Sequence, residues 1–321
     1  MTAERPVALA IVGPTASGKT ALSLEVARLL DAEIISMDSR QVYRGMDIGT
    51  AKATAAERSA VPHHGLDLVD PSERFSAGRF ARMARRAVEE IRSRGRTPLL
   101  VGGTGFFLRA LTNPIFREPE LDPLRRARLQ EWLEAQGEER LLRWLVELDR
   151  PLAARLARAG GRQRLLRALE MPLLTGRPLS WWQTHGPLEA PPMPIRVHVL
   201  DVERERLRAA IDARVRRMME AGLLDEVRAL RDRGFGEGDP GMSATGYVEL
   251  LPVLEGRATA EEAAERVARN TRAYARRQLT WLRHQLPPDA RHHDGTRPAV
   301  EIAARIADDW RAVTSKPDNT H

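Results

Sequence analysis

The chain has 321 residues, 30% of them charged and 42% hydrophobic, a balance that suits a globular protein with a sizeable core. It has no cysteine, which excludes disulfides, thiolate zinc sites and cysteine nucleophiles, and no apolar run approaches the ~20 residues that span a bilayer. The formal net charge of +7, carried mostly by arginine, points either to an anionic partner such as nucleic acid or to a solvated arginine-rich surface.

Met1 to Pro6 runs straight into the first apolar stretch, which predicts no secretory leader and a cytoplasmic location. Ala8-Leu9-Ala10-Ile11-Val12 reads as a buried strand. Gly13-Pro14-Thr15-Ala16-Ser17-Gly18-Lys19-Thr20 follows and fits the phosphate-loop pattern G-x-x-x-x-G-K-[ST] at every fixed position. Leu22, Val26 and Leu29 then recur with helical spacing. Strand, glycine loop and helix is the order that this chemistry requires. Glycines let backbone N–H groups surround phosphate oxygens, and the helix start adds partial positive charge. Lys19 supplies a full charge, and the Thr20 hydroxyl is placed to reach a magnesium ion. The loop marks a di- or triphosphate without saying what is done with it.

Glu33-Ile34-Ile35-Ser36-Met37 is a second short strand, ending at Asp38. The polar stretch from Ser39 to Lys52 is long for a structureless connection, and such loops usually carry function. A weak strand is expected at Leu66-Asp67-Leu68-Val69. Phe75 to Arg94 is helical, and Pro98-Leu99-Leu100-Val101 is a strand ending in Gly102-Gly103-Thr104-Gly105. Three apolar strands thus end in the phosphate loop, in Asp38 and in Thr104. In a parallel α/β sheet, ligands bind beyond the carboxyl ends of the strands, so these elements are expected to converge.

From Thr112 to Pro194 no strand pattern occurs, and the run is charged and helical. The sheet resumes at Ile195 to Leu200, and the remainder is helical to His284, with a polar tail after Pro287. The expected architecture is α/β: a P-loop NTPase-like parallel sheet flanked by helices, formed by residues 1–112 and 195–321. Residues 113–194 form an all-helical insertion domain. His63-His64 and His292-His293 lack metal-ligand spacing and read as polar loop residues. Trp132, Trp144, Trp181 and Trp182 read as packing groups, as do Met218 and Met219.

Asp38 admits two roles on these patterns: a magnesium holder, for which Asp201 is also placed, or a general base for an acceptor nucleophile. On an ideal helix Arg269, Arg272, Arg276 and Arg283 fall within a sector of roughly 60°, with Val267, Tyr274 and Trp281 on another face. That is an arginine stripe of the kind that tracks phosphates.

Several ordered stretches resemble the tRNA dimethylallyltransferase family. They are Gly13–Thr20, Ile35–Tyr43, Arg44–Lys52, Leu100–Thr104, Gln163–Glu170 and Arg277–Arg283, and they run in order across nearly the whole chain. The resemblance implies transfer of a dimethylallyl group from dimethylallyl diphosphate to N6 of adenosine 37 beside the anticodon. It implies Asp38, Thr104 and Lys19 as catalytic residues, and Gly13, Pro14, Thr15, Ala16, Ser17, Gly18, Lys19, Thr20 and Arg214 around the diphosphate. Mg²⁺ would sit at Thr20.

By the same resemblance the anticodon stem-loop would meet Asp38, Ser39, Arg40, Gln41, Thr104 and Arg126. It would also meet Gln163, Arg164, Leu165, Leu166 and Arg167, then Met242, Ser243, Ala244, Thr245, Gly246 and Tyr247. Arg276, from the stripe, joins them, and the helical insertion would contact tRNA. The sequence departs from the family pattern at Gly160-Gly161-Arg162, at Gly65, at Thr245 and at Val248. The implied protein is a monomer with no membrane contact. A small-molecule kinase and a prenyltransferase of free adenine nucleotides share the phosphate loop, but the kinase does not need the arginine stripe and the prenyltransferase has little use for the large insertion.

Overall fold

Ala8 to Val12 are apolar on both faces, as a strand covered on both sides must be, and they form β1 (Ala8–Val12) at the centre of a sheet. The computed structural model describes residues 5–114, 116–159 and 161–315. The other strands are β2 (Ala32–Ser36), β3 (His63–His64), β4 (Thr97–Gly102), β5 (Ile195–Asp201) and β6 (Arg291–Asp294). Their order is β3-β2-β4-β1-β5-β6, and every pairing is parallel. β2, β4 and β1 are therefore direct neighbours, and their carboxyl ends lie side by side.

The chain divides into two compact units, one of residues Met1–Asn113 with Pro192–His321 and one of Pro114–Pro191. In the first, α1 (Lys19–Leu30), α2 (Ala55–Ala60), α3 (Ala77–Ser93) and α4 (Gly105–Thr112) precede the break. The second unit holds α5 (Pro123–Glu134), α6 (Glu138–Leu148), α7 (Arg150–Ala159), α8 (Arg162–Thr175) and α9 (Leu179–His185). It has its own core of Leu133, Leu141, Leu145, Leu165, Leu166, Leu169 and Met171. The first unit continues with α10 (Arg204–Glu220), α11 (Leu223–Asp232), α12 (Leu251–Leu254), α13 (Ala260–Gln285) and α14 (Ala299–Thr314).

Strand alternation sorts the core of the first unit into two layers. Ala8, Ala10, Val12, Ile35 and Leu100 face Phe80, Val88 and Ile91 of α3, Phe107 and Leu111 of α4, and Leu282 of α13. Leu9, Ile11, Ile34 and Leu99 face Leu22 and Val26 of α1 with Ile302, Ile306 and Trp310 of α14. A Thr259–Glu262 capping box starts α13, satisfying orphan amides at both residues.

Three expectations are corrected. The strand after α2 lies at His63–His64, because these residues pair with Ile34 and Ile35, while Val69 only bridges Tyr43. His292 and His293 lie in β6 rather than a loop; an edge strand is held by backbone pairing to β5 and needs no apolar pattern. The region after Pro287 is not simply a polar tail. Ile302, Ile306 and Trp310, four residues apart, bury one face of α14 against α1. Arg196 of β5 fixes α14 further through paired hydrogen bonds of 2.7 and 2.8 Å to Asp309.

Glu33 of β2 is buried and accepts from Arg94, Arg96 and His64. Burial alone would raise its pKa, but the hydrogen bonds from Arg94, His64 and Arg96 outweigh it and hold the carboxyl at about 2. A depressed carboxyl stabilises the fold above its unfolded value of 4.5, and that contribution is lost as pH falls toward 2. Glu33→Gln is expected to cost about 1–3 kcal/mol at neutral pH and to flatten the acid limb of stability. Denaturant melts of both proteins across that acid range check both effects.

Candidate active site

The turn after β1 curls because Gly18 takes a left-handed conformation (φ 90°) that a side chain would disfavour. Ser17 N–H donates to the Pro14 carbonyl at 3.3 Å, and the Lys19 ammonium donates to the same carbonyl at 2.6 Å. Ala16 is held at φ 62°, a strained conformation for a residue with a Cβ, of the kind that concentrates at functional loops. The loop opens on a cavity of about 290 Å³. Asp38, Gly102, Gly103, Arg214 and Gln278 line it together with Thr15 to Thr20. The three strand ends converge, as a parallel sheet with neighbouring β2, β4 and β1 requires.

The charges in this cavity do not balance. Burial, and then the Arg214 guanidinium, push the Lys19 ammonium down to about 7, although Asp38 pulls the other way. Arg214 is itself lowered, first by burial, against the attraction of Asp38. Two desolvated cations thus face one carboxylate. With Arg217 also on the wall, the cavity carries an excess of positive charge that a further anion would offset.

Asp38 lies at the junction between this cavity and a second one of about 250 Å³. Arg40, Thr50, Arg214, Ser243, Thr245, Tyr274 and Arg277 line the second cavity. The Asp38 carboxylate accepts from Arg40 N–H at 2.8 Å, which leaves lone pairs for an incoming donor. Ser39 N–H donates to the Thr104 hydroxyl at 3.1 Å, and Thr104 N–H donates to the Met37 carbonyl at 3.3 Å. Arg40 reaches the Pro240 carbonyl at 3.0 Å and the Ser243 hydroxyl at 3.2 Å. Gln41 accepts from Ser36 at 2.8 Å and donates to the Thr50 and Ala51 carbonyls.

The loop of residues 44–52 is ordered by charge. The Glu226 carboxylate accepts from the N–H groups of Asp47, Ile48 and Gly49, and from the Tyr247 hydroxyl at 2.5 Å. Lys52, almost wholly buried, donates to Asp47, Asp67 and the Tyr43 carbonyl.

The sequence-predicted residues sort into three groups. Lys19, Asp38, Thr104 and Arg214 gather at the phosphate loop and the cavities beside it, with Ser39, Arg40, Gln41, Ser243 and Thr245 at the rim. Leu165, Leu166, Met242 and Tyr247 are buried, so their side chains offer no surface to an RNA; they hold their segments in place, while Ala244, also buried, turns its methyl to the second cavity. Gly246 lends only backbone, its N–H donating to Glu249 at 2.8 Å. Within the helical unit, Gln163 and Arg164 are exposed, while Arg126 and Arg167 pair with Glu118 and Glu170. Arg269, Arg276 and Arg283 are exposed on α13, but Arg272 is tied to Asp212 and drops out of the stripe. Asp201 does not line the cavity and pairs with His292 at 2.8 Å, which leaves Asp38 as the carboxylate at the phosphate loop.

Sequence reasoning missed three residues. Tyr274, read as part of an apolar face, lines the second cavity; burial and then Asp38 push its phenol up to about 12, against a hydrogen bond with Thr104. Gln278 is buried and bonds both the phosphate loop and Gly103. Glu226 holds the 44–52 loop. For Gln278 there was a signal: a polar residue four positions after Tyr274, in the row that ends at the buried Leu282.

The family pattern described as IPP transferase matches residues 41–285, and that described as isopentenyl transferase matches residues 6–66. The tRNA dimethylallyltransferase of Roseiflexus castenholzii is 50% identical over 289 residues, spanning 88% of this chain and 93% of that one. That of Carboxydothermus hydrogenoformans is 40% identical over 292 residues, spanning 91% and 93%. Among solved structures, the tRNA isopentenylpyrophosphate transferase of Bacillus halodurans is 38% identical with a TM-score of 0.68, covering 97% of this chain and 98% of that one. A eukaryotic dimethylallyltransferase acting on tRNA is 28% identical with a TM-score of 0.82, covering 97% and 81%.

The charge imbalance sets a pH dependence. An anion bound between Lys19 and Arg214 restores the Lys19 pKa toward its ordinary value, so binding above about pH 7 takes up a proton. At about pH 8 pyrophosphate binding is expected to draw up to one proton more in the native protein than in Lys19→Arg, whose guanidinium stays charged. At about pH 6 the two should match. Calorimetry in buffers of different ionisation enthalpy measures this, and equal uptake by both proteins at the higher pH would remove the depressed Lys19.

Proposed function

The chain belongs to the IPP transferase family, and from that premise we propose that it transfers a dimethylallyl group from dimethylallyl diphosphate to N6 of adenosine 37 in tRNA, releasing diphosphate. The observation that carries this reading is the shared Asp38. It stands between a cationic phosphate cavity and a second cavity rimmed by hydroxyls, Tyr274 and Arg277. The relatives matched along most of the chain are named for the tRNA reaction, so the kinase and free-nucleotide alternatives are not favoured.

In this reaction the N6 lone pair forms a bond to C1 of the dimethylallyl group as the C1–O bond breaks. The electron pair of that bond leaves on the diphosphate, and the N6 proton passes to the Asp38 carboxylate. Displacement at an allylic carbon is limited by charge developing on the leaving oxygens. Lys19, Arg214 and the loop amides lie where that charge appears. The exocyclic amine is a poor nucleophile because its lone pair is delocalised, so Asp38 both orients it and accepts its proton. The adenine leaves the anticodon stack to reach this depth, which single-stranded loops permit.

Mg²⁺ is the proposed cofactor. Among the described residues no three His, Cys, Asp or Glu side chains form a metal site. A phosphate-loop magnesium needs none, because it takes one hydroxyl, waters and phosphate oxygens. Thr20 beside Lys19 fits that donor set. When bound, the ion supplies further positive charge to the diphosphate.

The anticodon stem-loop is the proposed RNA contact, met by Arg40, Gln41 and Ser243 in the first unit and by Gln163 and Arg164 in the second. Arg276 on α13 adds a phosphate contact. No described helix is long and apolar enough to cross a membrane. A cytoplasmic monomer is the working form we propose.

The test is a transfer assay with labelled dimethylallyl diphosphate, Mg²⁺ and tRNA lacking the modification. Label should enter tRNA at adenosine 37 and should not enter a tRNA carrying guanosine there; consumption of ATP with a small acceptor instead would sink the reading. Asp38→Ala should lower turnover by ~10²-fold or more while tRNA still binds in a filter assay. Near-normal turnover would show that Asp38 is not the base.

A further inference from the structure

Gln278 is a primary amide, 7% exposed, set into the wall of the phosphate cavity. Its Oε1 accepts from Thr15 N–H at 2.8 Å, and its Nε2 donates to the Gly103 carbonyl at 3.0 Å. One planar group thus spans the two loops that the reaction must hold apart at a fixed distance. The amide cannot be reversed in place, since a flip would set donor against donor at Thr15 and acceptor against acceptor at Gly103. Gly103 has to be glycine for this contact: a Cβ there would stand 2.2 Å from Nε2. The residue after Gly103 is Thr104, whose hydroxyl binds Ser39 N–H next to Asp38.

Nothing else described joins the early arm of the phosphate loop to the Gly103 carbonyl by a side chain. Pro14 has no N–H to offer, and its carbonyl is already used by Ser17 and Lys19. Thr104 is attached to the Asp38 side of the site through Met37 and Ser39. Gln278 is therefore the crosspiece between the leaving-group side and the proton-accepting side. On α13 it lies four residues after Tyr274, which faces Thr104 and Asp38, so one helix face touches both sides.

We propose that Gln278 is a positioning residue, which fixes the diphosphate loop relative to Thr104 and Asp38 so that nucleophile, carbon and leaving oxygen align. It touches neither reacting atom. It rests on the transfer reaction proposed above only for its kinetic consequence; the mechanical coupling stands on the two hydrogen bonds. In-line displacement is sensitive to placement, and a shift of about 1 Å costs ~10²-fold. Loss of the crosspiece should therefore lower kcat while leaving diphosphate binding, which uses Lys19, Arg214 and the remaining loop amides, nearly intact.

Gln278→Met keeps the length and burial of the side chain and removes both polar ends, so the fold should be retained; a thermal melt checks that. Two measurements read the coupling. Without tRNA, pyrophosphate added to the native protein should slow amide hydrogen exchange in peptides covering 13–20 and also 102–105. In Gln278→Met the protection should stay in 13–20 and fade from 102–105. With tRNA, kcat should fall ~30–100-fold while the KM for dimethylallyl diphosphate and the Kd for pyrophosphate move less than about threefold. Gln278→Glu, which keeps the acceptor for Thr15 N–H but not the donor to Gly103, should also lose kcat.

Undiminished protection of 102–105 in Gln278→Met overturns the proposal. So does a loss of pyrophosphate affinity in step with kcat, since Gln278 would then merely build the phosphate site. A native protein that prenylates no tRNA yet shows protection of both peptides, lost from 102–105 in the variant, sinks the functional reading and leaves the coupling standing.

Discussion

Lys19, Arg214 and Arg217 share a small cavity with one carboxylate, Asp38, and much of the site depends on that imbalance. Lys19 and Arg214 are both shifted toward their neutral forms, first by burial and then by repulsion from a neighbouring cation. A fold tolerates this strain only if a ligand relieves it in the working state. In the proposed reaction a diphosphate would do so as it binds, and more strongly as the breaking C–O bond places further charge on its oxygens. The same cations that favour binding therefore favour the leaving group. The parallel sheet makes the arrangement possible: β2, β4 and β1 are neighbours, so Asp38, Thr104 and the phosphate loop are brought together by strand order alone.

What was legible in the sequence followed from local physics. The runs at Ala8–Val12, Ile34–Met37 and Pro98–Val101 are largely apolar and covered on both faces, and such strands announce themselves. The phosphate loop, Asp38 and Thr104 could be placed because each follows such a strand. β6 could not be read, since Arg291 to Asp294 carry no apolar signal and are held to β5 by backbone pairing. α14 had a signal in Ile302, Ile306 and Trp310, but a polar C-terminal stretch hid it. For Gln278 the helical row through Tyr274 and Leu282 marks a polar residue on a buried face but not its partners. Its partners lie 263 and 175 residues away, and no local pattern shows which polar residue of a helix will meet two loops so distant in sequence.

The residues implied for tRNA contact divide along the same line between local and tertiary information. A motif shows that a segment matters without showing which of its side chains face outward. Met242 and Tyr247 are buried away from the second cavity, whereas Ser243, Ala244 and Thr245 line it, and only Ser243 and Thr245 bring a polar side chain there. Tyr247 instead donates to Glu226, whose carboxylate gathers the N–H groups of Asp47, Ile48 and Gly49. That segment supports the site from behind: it presents two hydroxyl groups forward and anchors the 44–52 loop backward.

Within the helical unit a related economy holds for charge. Arg126 and Arg167 are not bare cations awaiting a phosphate, because Glu118 and Glu170 already hold both. A guanidinium kept in place by carboxylates has lost much of its rotamer freedom before any RNA arrives, so less ordering entropy remains to be lost on binding. The opposing cost is exchange, since a phosphate must replace a carboxylate it does not outcharge by much. If these arginines meet RNA as proposed, such pairs would contribute orientation and specificity more than affinity. Under the proposed reading, bulk attraction for the polyanion would fall to α13, where Arg269, Arg276 and Arg283 stay exposed. Arg272, taken by Asp212, shows what that surface loses when a carboxylate comes within reach.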